Sequence, residues 1–396
     1  MTSSPTVSAE PSPTSDPESL SVTPSGARLD SLTGLRWLAA LLIFCRHFAY
    51  EGGWYGYAHE PETLRYLFRG ATSAVSFFFI LSGFVLTWSA RPTITKGRFW
   101  WRRFAKIYPS HLVTFLFAVY LADKLGTHPT TATAAANLTL TQAWVPSSPQ
   151  YWFAFNSVSW SLSCELFFYL MFPFLLPHFR RLTVRGLWLF LGATTLVLII
   201  AALTAPLLPF ATPIRLRYVF YILPASRLAE FAIGIAVALL VKHNKWRGPG
   251  LTISIALTLI SLFALAPRTP VHVADVACTI VPFVMLIAAA GRADLHGSRS
   301  IFRQRHLVYL GEASFAFYLV HEMVILGSNY IMRFNHNLSA GASALAVFSV
   351  SGTVPRTVFL ARFAGFLFGG MGTVSNDRRD RESTEEERWP WPRAVA

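Results

Sequence analysis

Residues 36–47 read RWLAALLIFCRH. The interior is Trp, Leu, Ala, Ile, Phe and Cys, a composition suited to lipid, yet the stretch opens with Arg36 and closes with Arg46 and His47. An Arg at the centre of a membrane helix costs about 2.5–3.5 kcal/mol on insertion scales, so such groups face a bundle interior or a watery path. The stretch therefore reads as a spanning helix that lines something.

The rest of the chain supports that environment. Of 396 residues, 53% are hydrophobic and 14% charged, with a mean hydropathy of +0.43. Soluble domains carry about 25% charged residues, and apolar blocks of about 20 residues suit spanning helices. The net charge of +14 does not point to nucleic acid, because the basic residues lie in short clusters between the apolar blocks. Cys45, Cys164 and Cys278 sit in or beside apolar segments. They read as small buried hydrophobes, not as a disulfide framework or zinc site. Residues 1–28, rich in Ser, Pro and Thr, read as a disordered tail and not a signal peptide.

The expected fold is an all-α polytopic membrane bundle of about ten transmembrane helices. Spans are expected at 32–50, 71–90, 104–122, 157–177, 186–205, 218–241, 250–266, 274–290 and 307–329, with a tenth from about 341. The transmembrane domain covers 29–370, and a charged tail occupies 371–396. Lys and Arg number 16 in the loops at 91–106, 178–185, 242–249 and 292–306, against 7 in the alternate loops. The positive-inside rule makes the first set and the N-terminus cytoplasmic. His47 lies eleven residues after Arg36, about 20° past three full turns and about 16 Å along the axis. The two share one stripe, the cation near the inner face and the imidazole near the outer.

Other spans repeat the pattern of polar groups in apolar helices. The segment RPTITKGRFWWRRFAK carries six positive charges and no acid. It anchors the topology, with Trp100 and Trp101 at the interface, and offers Arg103 and Lys106 to an anion. The fourth span opens VSWSLSCELFFYL, placing Ser161, Ser163 and Glu165 in its outer half. Glu165 either ties two helices together or orients His47, since a carboxylate can hold an imidazole in one tautomer. In SRLAEFAIG, Arg227 and Glu230 are three apart and read as an internal ion pair. Ser314, Tyr318 and His321 form a polar stripe in LGEASFAFYLVHEMV, His321 serving either a structural hydrogen bond or the outer site.

Taken in order, Arg36 and His47, then GFVL, RRFAKIYP, WSLSCE, SRLAEF and LGEASFAFYLVHEMV resemble the acyltransferase-3 family of integral-membrane O-acyltransferases, over about 32–350. The resemblance implies acyl transfer from coenzyme A thioesters to hydroxyls of envelope glycans or secondary metabolites such as a macrolide or its sugar. It also implies that Arg36 and His47 are the essential pair. Two features depart from the family. Lys106 stands where a second Arg is usual, and residues from about Ser351 lack the usual Glu-x-Pro end.

The expected enzyme takes acyl-CoA as co-substrate, with acetyl or a short chain transferred, and binds no further cofactor and no metal. Arg36, Arg103 and Lys106 bind the donor. His47 is the general base and Glu165 its partner, supported by Ser161, Ser163, Arg227, Glu230, Tyr318 and His321. The expected setting is a bacterial plasma membrane, with donor, hydroxyl-bearing acceptor and lipid bilayer as partners and no nucleic acid. No appended hydrolase-like domain is expected. A transporter or flippase is the rival reading, against which no inverted repeat of the Arg/His span begins near 190.

Overall fold

The computed structural model describes residues 28–51, 62–91, 93–146 and 148–334. Among them every regular element is helical. Nine helical segments among the described residues are long and apolar enough to cross a membrane. They are α1 Asp30–Tyr50, α2 Glu62–Trp88, α3 Lys96–Lys124, α4 Ser157–Arg181, α5 Val184–Leu207, α6 Pro213–Lys242, α7 Leu251–Arg268, α8 Val271–Leu295 and α9 Arg305–Ser328. Nine of the ten expected spans are present among the described residues; α2 and α3 begin well before the expected 71 and 104, and the other seven agree to within about five residues at each end. The tenth span, the charged tail and all of the N-terminal tail but Arg28 lie outside the described residues.

Helix starts follow ordinary capping chemistry. Thr95, Thr183 and Thr212 each accept the N–H three residues on, at 3.4, 3.1 and 3.3 Å. Each satisfies a donor the helix cannot. Ends are less regular where the chain must bend inside the bundle. A π-helical turn at Tyr218–Ile222 precedes Pro224 in α6, and Ala274–Cys278 forms another in α8. Such turns frequently mark functional positions.

Without a hydrophobic drive between helices in lipid, close packing depends on small residues. A Cβ on Gly83 of α2 would meet the Phe231 carbonyl oxygen, and one on Gly234 of α6 would meet that of Ile80. The two backbones therefore touch reciprocally, which makes α6 the buried centre of the bundle. By contrast α5 turns Leu189, Leu196, Val197 and Leu203 outward, as a lipid-facing helix must.

The pair that matters for the site is α1 and α9. A Cβ on Gly311 would meet the Thr33 carbonyl oxygen, and one on Gly34 that of Phe302. At its start α1 is held by Asp294 of α8, which accepts from the Ser31 N–H at 2.9 Å and its hydroxyl at 2.6 Å. These contacts fix the depth and rotation of α1, and with them the faces that Arg36 and His47 present.

Candidate active site

The polar residues of the spans collect into three groups. The first surrounds Arg36 and draws on α1, α3 and α4. The charged neighbours of Glu165 are Lys106, Arg36 and Arg103, while Arg36 faces Glu165, Glu312 and the neutral Tyr169 phenol. Tyr169, one turn on from Glu165, donates its hydroxyl to Glu165 Oε2 at 3.2 Å and also bonds Ser82 of α2. The Trp100 indole N–H donates to the Tyr169 carbonyl at 3.1 Å, pinning α3 to α4. The Arg103 guanidinium lies 5.9 Å from the Tyr169 ring across that contact, and 5.5 Å from Phe99 one turn back on its own helix. Arg103 Nε is buried with no hydrogen-bond partner. Three cations against Glu165 and Glu312 leave this group with surplus positive charge, a setting for an anion.

The second group lies toward the other end of α1. The ring centroids of His47 and His321 are 5.1 Å apart with the planes tilted by 57°. Phe317 stacks on His321 at 5.9 Å, and Phe44 meets its edge at 6.3 Å. His321 Nδ1 lies 2.7 Å from the Tyr318 carbonyl oxygen. A carbonyl only accepts, so Nδ1 carries the proton and Nε2 keeps its lone pair. The Tyr318 hydroxyl in turn reaches Ser161 Oγ at 2.9 Å and the Val158 carbonyl at 3.2 Å, locking α9 to the start of α4. Asn156 donates to the Leu319 carbonyl at 2.9 Å, and Ser157 donates to Glu322.

The third group sits between α2, α6 and α8. Arg227 and Glu230 are paired at 2.8 Å, each 2% exposed. Arg227 also donates to Ser76 Oγ at 2.8 Å and to the Phe220 carbonyl at 3.0 Å. Asp275, fully buried in the π-helical turn of α8, accepts from Thr72 Oγ1 at 2.7 Å. Removing one partner of such a buried pair costs about 3–5 kcal/mol, so this group holds three helices in register. Ser163 joins none of the three: its hydroxyl is buried without a hydrogen-bond partner.

The sequence left Glu165 either tying two helices together or orienting His47; in the bundle its charged neighbours are the cations Lys106, Arg36 and Arg103. The reason is rotation: α4 turns Glu165 toward α3 and the lower part of α1, while Ser161, one turn earlier, faces α9. Four residues with a place in these groups escaped the sequence reading. Tyr169 and Glu312 lie within quoted motifs, and a carboxylate inside a span was the available signal for Glu312. Asp275 sits where α8 begins in a turn whose register the sequence hides. Arg217 looked like a loop cation but lies on α6, with its guanidinium 4.8 Å over the Phe153 ring.

A bundle of spanning helices with an anion-binding group and an imidazole pair strung along one helix suits a membrane-embedded group-transfer enzyme. The chain matches the family described as "Acyltransferase domain" over residues 29–369, and belongs to this acyltransferase-3 family. It is 40% identical over 347 residues to acyltransferase MdmB of Streptomyces mycarofaciens, covering 83% of this chain and 89% of that one. It is also 25% identical over 171 residues to peptidoglycan O-acetyltransferase OatA of Listeria monocytogenes serovar 1/2a, covering 38% of this chain and 24% of that one. No solved structure matches the chain. The protein is therefore a multi-pass membrane acyltransferase, and the transporter reading falls away.

Proposed function

We propose that the enzyme moves an acetyl or other short acyl group from acyl-CoA to a hydroxyl of a secondary metabolite, such as a macrolide or its sugar, or of an envelope glycan. The observation that carries this reading is the separation along α1 of a cation group from an imidazole pair. Arg36, Arg103 and Lys106 converge from two helices with surplus positive charge, and coenzyme A is the anionic part of the donor. Its phosphates meet Arg103 and Lys106, and its arm passes Arg36 toward His47. Glu165 keeps the three cations together so that they do not repel one another apart.

His47 takes the proton of the acceptor hydroxyl as the oxygen attacks the thioester carbonyl. A C–O bond forms, the C–S bond breaks, and the proton passes to the leaving thiolate. The cation end faces the cytoplasm of a bacterial cell, where acyl-CoA is made, and the histidine end lies toward the outer face of the plasma membrane.

The test is a pair of assays on the purified enzyme in detergent or liposomes. With radiolabelled acetyl-CoA, label should pass to an extract fraction only when the enzyme is present. Mass spectrometry of metabolites and cell-wall glycans from a deletion strain then separates the two acceptor classes by which of them loses an acyl mass. An enzyme that leaves every acyl-CoA intact in the presence of both acceptor classes sinks the reading.

A further inference from the structure

Between α3 and α4 the chain builds a cap at the histidine end, and one ring of that cap carries a cation of α6. We propose that Arg217, laid on the Phe153 ring, is the acceptor-binding residue, its guanidinium donating to two adjacent oxygens of a sugar ring and so seating the reacting hydroxyl at His47. The proposal rests on the reading that His47 serves that hydroxyl, and it narrows the acceptor to an oxygen-rich glycosyl group.

The cap is built to hold Phe153 still. Trp152, buried at the end of the helical turn Pro149–Trp152, stacks on Tyr218 of α6 at 5.3 Å with the planes 13° apart. Its indole N–H donates to the Val145 carbonyl at 2.7 Å, and Asn137 donates to that of Tyr151 at 3.0 Å. The Tyr218 hydroxyl returns a bond to the Trp144 carbonyl at 3.3 Å. Asn156 and Ser157 fasten the end of the cap to Leu319 and Glu322 of α9, on either side of His321. Phe155 sits in left-handed backbone, φ +59°, with its ring 5.2 Å from Phe115 of α3. A bulky residue rarely adopts that conformation, and such strain persists only where the surroundings dictate it. Phe153 is therefore fixed from both sides, by the Trp152 stack before it and by Phe155 after it.

Arg217 immediately precedes Tyr218, so the stack that fixes the cap also fixes its backbone. Its guanidinium lies 4.8 Å over the Phe153 ring. Four residues on, about one turn of this helix, Tyr221 is buried 4.7 Å from Trp160 and donates to the Thr72 carbonyl at 3.4 Å. Arg217 shares that inward side of α6 and yet is exposed, so it borders an opening at the level beyond the buried layer. It is a charged neighbour of His47, Tyr221 and Asp275, which places the opening at the histidine end. Stacking engages the flat face of a guanidinium and leaves its fork of in-plane N–H groups for a ligand. Among the described residues no acceptor or carboxylate meets those of Arg217. A guanidinium only donates, so the atoms it holds are oxygens. A macrolide sugar and an envelope glycan both carry such oxygens beside the hydroxyl to be acylated.

The experiment uses full-length enzyme with acetyl-CoA and the sugar acceptor that takes label in the extract assay, together with deoxy analogues lacking each neighbouring oxygen in turn. Arg217→Ala should raise the acceptor KM by about 10–100-fold, the loss expected for a charged hydrogen bond. Donor KM and the unfolding temperature in detergent should match wild type. Arg217→Lys keeps the charge without the fork and should recover only part of the affinity. At least one deoxy analogue should be about 10-fold poorer than its parent for wild type. For Arg217→Ala the two should be nearly equal, because groups in contact are non-additive. The proposal is overturned by an acceptor KM like that of wild type, by a loss confined to kcat, or by equal analogue penalties in both enzymes. Should Arg217→Ala fail to fold, Arg217→Lys takes its place. A smaller analogue penalty than in wild type then supports the proposal, and an equal one overturns it. If wild type passes label to no acceptor, the acyl-transfer reading fails by itself, and Arg217 is judged by equilibrium dialysis of a macrolide glycoside and of an N-acetylglucosamine oligomer. Weaker binding to Arg217→Ala than to wild type supports the proposal; equal binding, or none to wild type, overturns it.

Discussion

The two ends of α1 carry polar groups of opposite design. Around Arg36 the protein assembles charges: three cations and two carboxylates drawn from α1, α3, α4 and α9. Around His47 it assembles rings and backbone carbonyls, among them the imidazole of His321. One helix thus supports two chemistries about 16 Å apart at 1.5 Å per residue. The difference teaches that burial alone does not define a site in a membrane bundle. Surplus charge suits holding an anion, and a neutral acceptor in a fixed tautomer suits handling a proton.

The comparison breaks most readily at the histidine end. His47→Ala should lower turnover by about 10²–10⁴-fold, the usual share of a general base, with donor KM and unfolding temperature unchanged. Wild-type turnover in that variant would leave the imidazole pair without a catalytic part.

At the other end the expected signature is in binding. Arg36→Ala and Arg103→Ala should each raise the acetyl-CoA KM by about 10–100-fold, as loss of a charged hydrogen bond worth roughly 1.5–3 kcal/mol implies, while kcat stays within a few-fold. A kcat collapse at unchanged KM would erase the distinction between the ends. Glu165→Gln sharpens it further. With the acid among the cations, its loss should shift donor KM by a few-fold and leave kcat nearly unchanged. A large kcat loss at constant donor KM would return Glu165 to service of His47.

The smallest effect is expected for Lys106→Arg. The charge is kept and a planar fork is added, so donor KM should stay the same or fall slightly in initial-rate assays. A rise of tenfold would mean that the compact ammonium itself fits the ligand. Orientation is checked independently by reporter fusions. Those after residues 100, 182, 245 or 298 should read as cytoplasmic, and one near 140 as external.

Much of this arrangement was legible in the sequence. Nine spans follow from apolar length alone, because a helix in lipid must satisfy its own backbone and little else competes. The Arg36–His47 stripe follows from helical periodicity, and the Arg227–Glu230 pair from its spacing of three. Those are properties of single helices, which is why one dimension suffices to read them. What the tertiary structure decided is which stripes face each other. Glu165 and His47 shared a depth in the sequence reading, but the rotation of α4, set by Trp100 on Tyr169 and by Tyr318 on Ser161, turns the acid to the cations. The sequence placed His321 on a polar stripe in the outer half of α9, and only the contact of Gly311 with Thr33 shows that helix lying against α1. Helix rotation and close approach depend on contacts between residues far apart in the chain, such as Thr33 with Gly311. Local pattern carries no record of them, and so the approach of His321 to His47 is visible only in the assembled bundle.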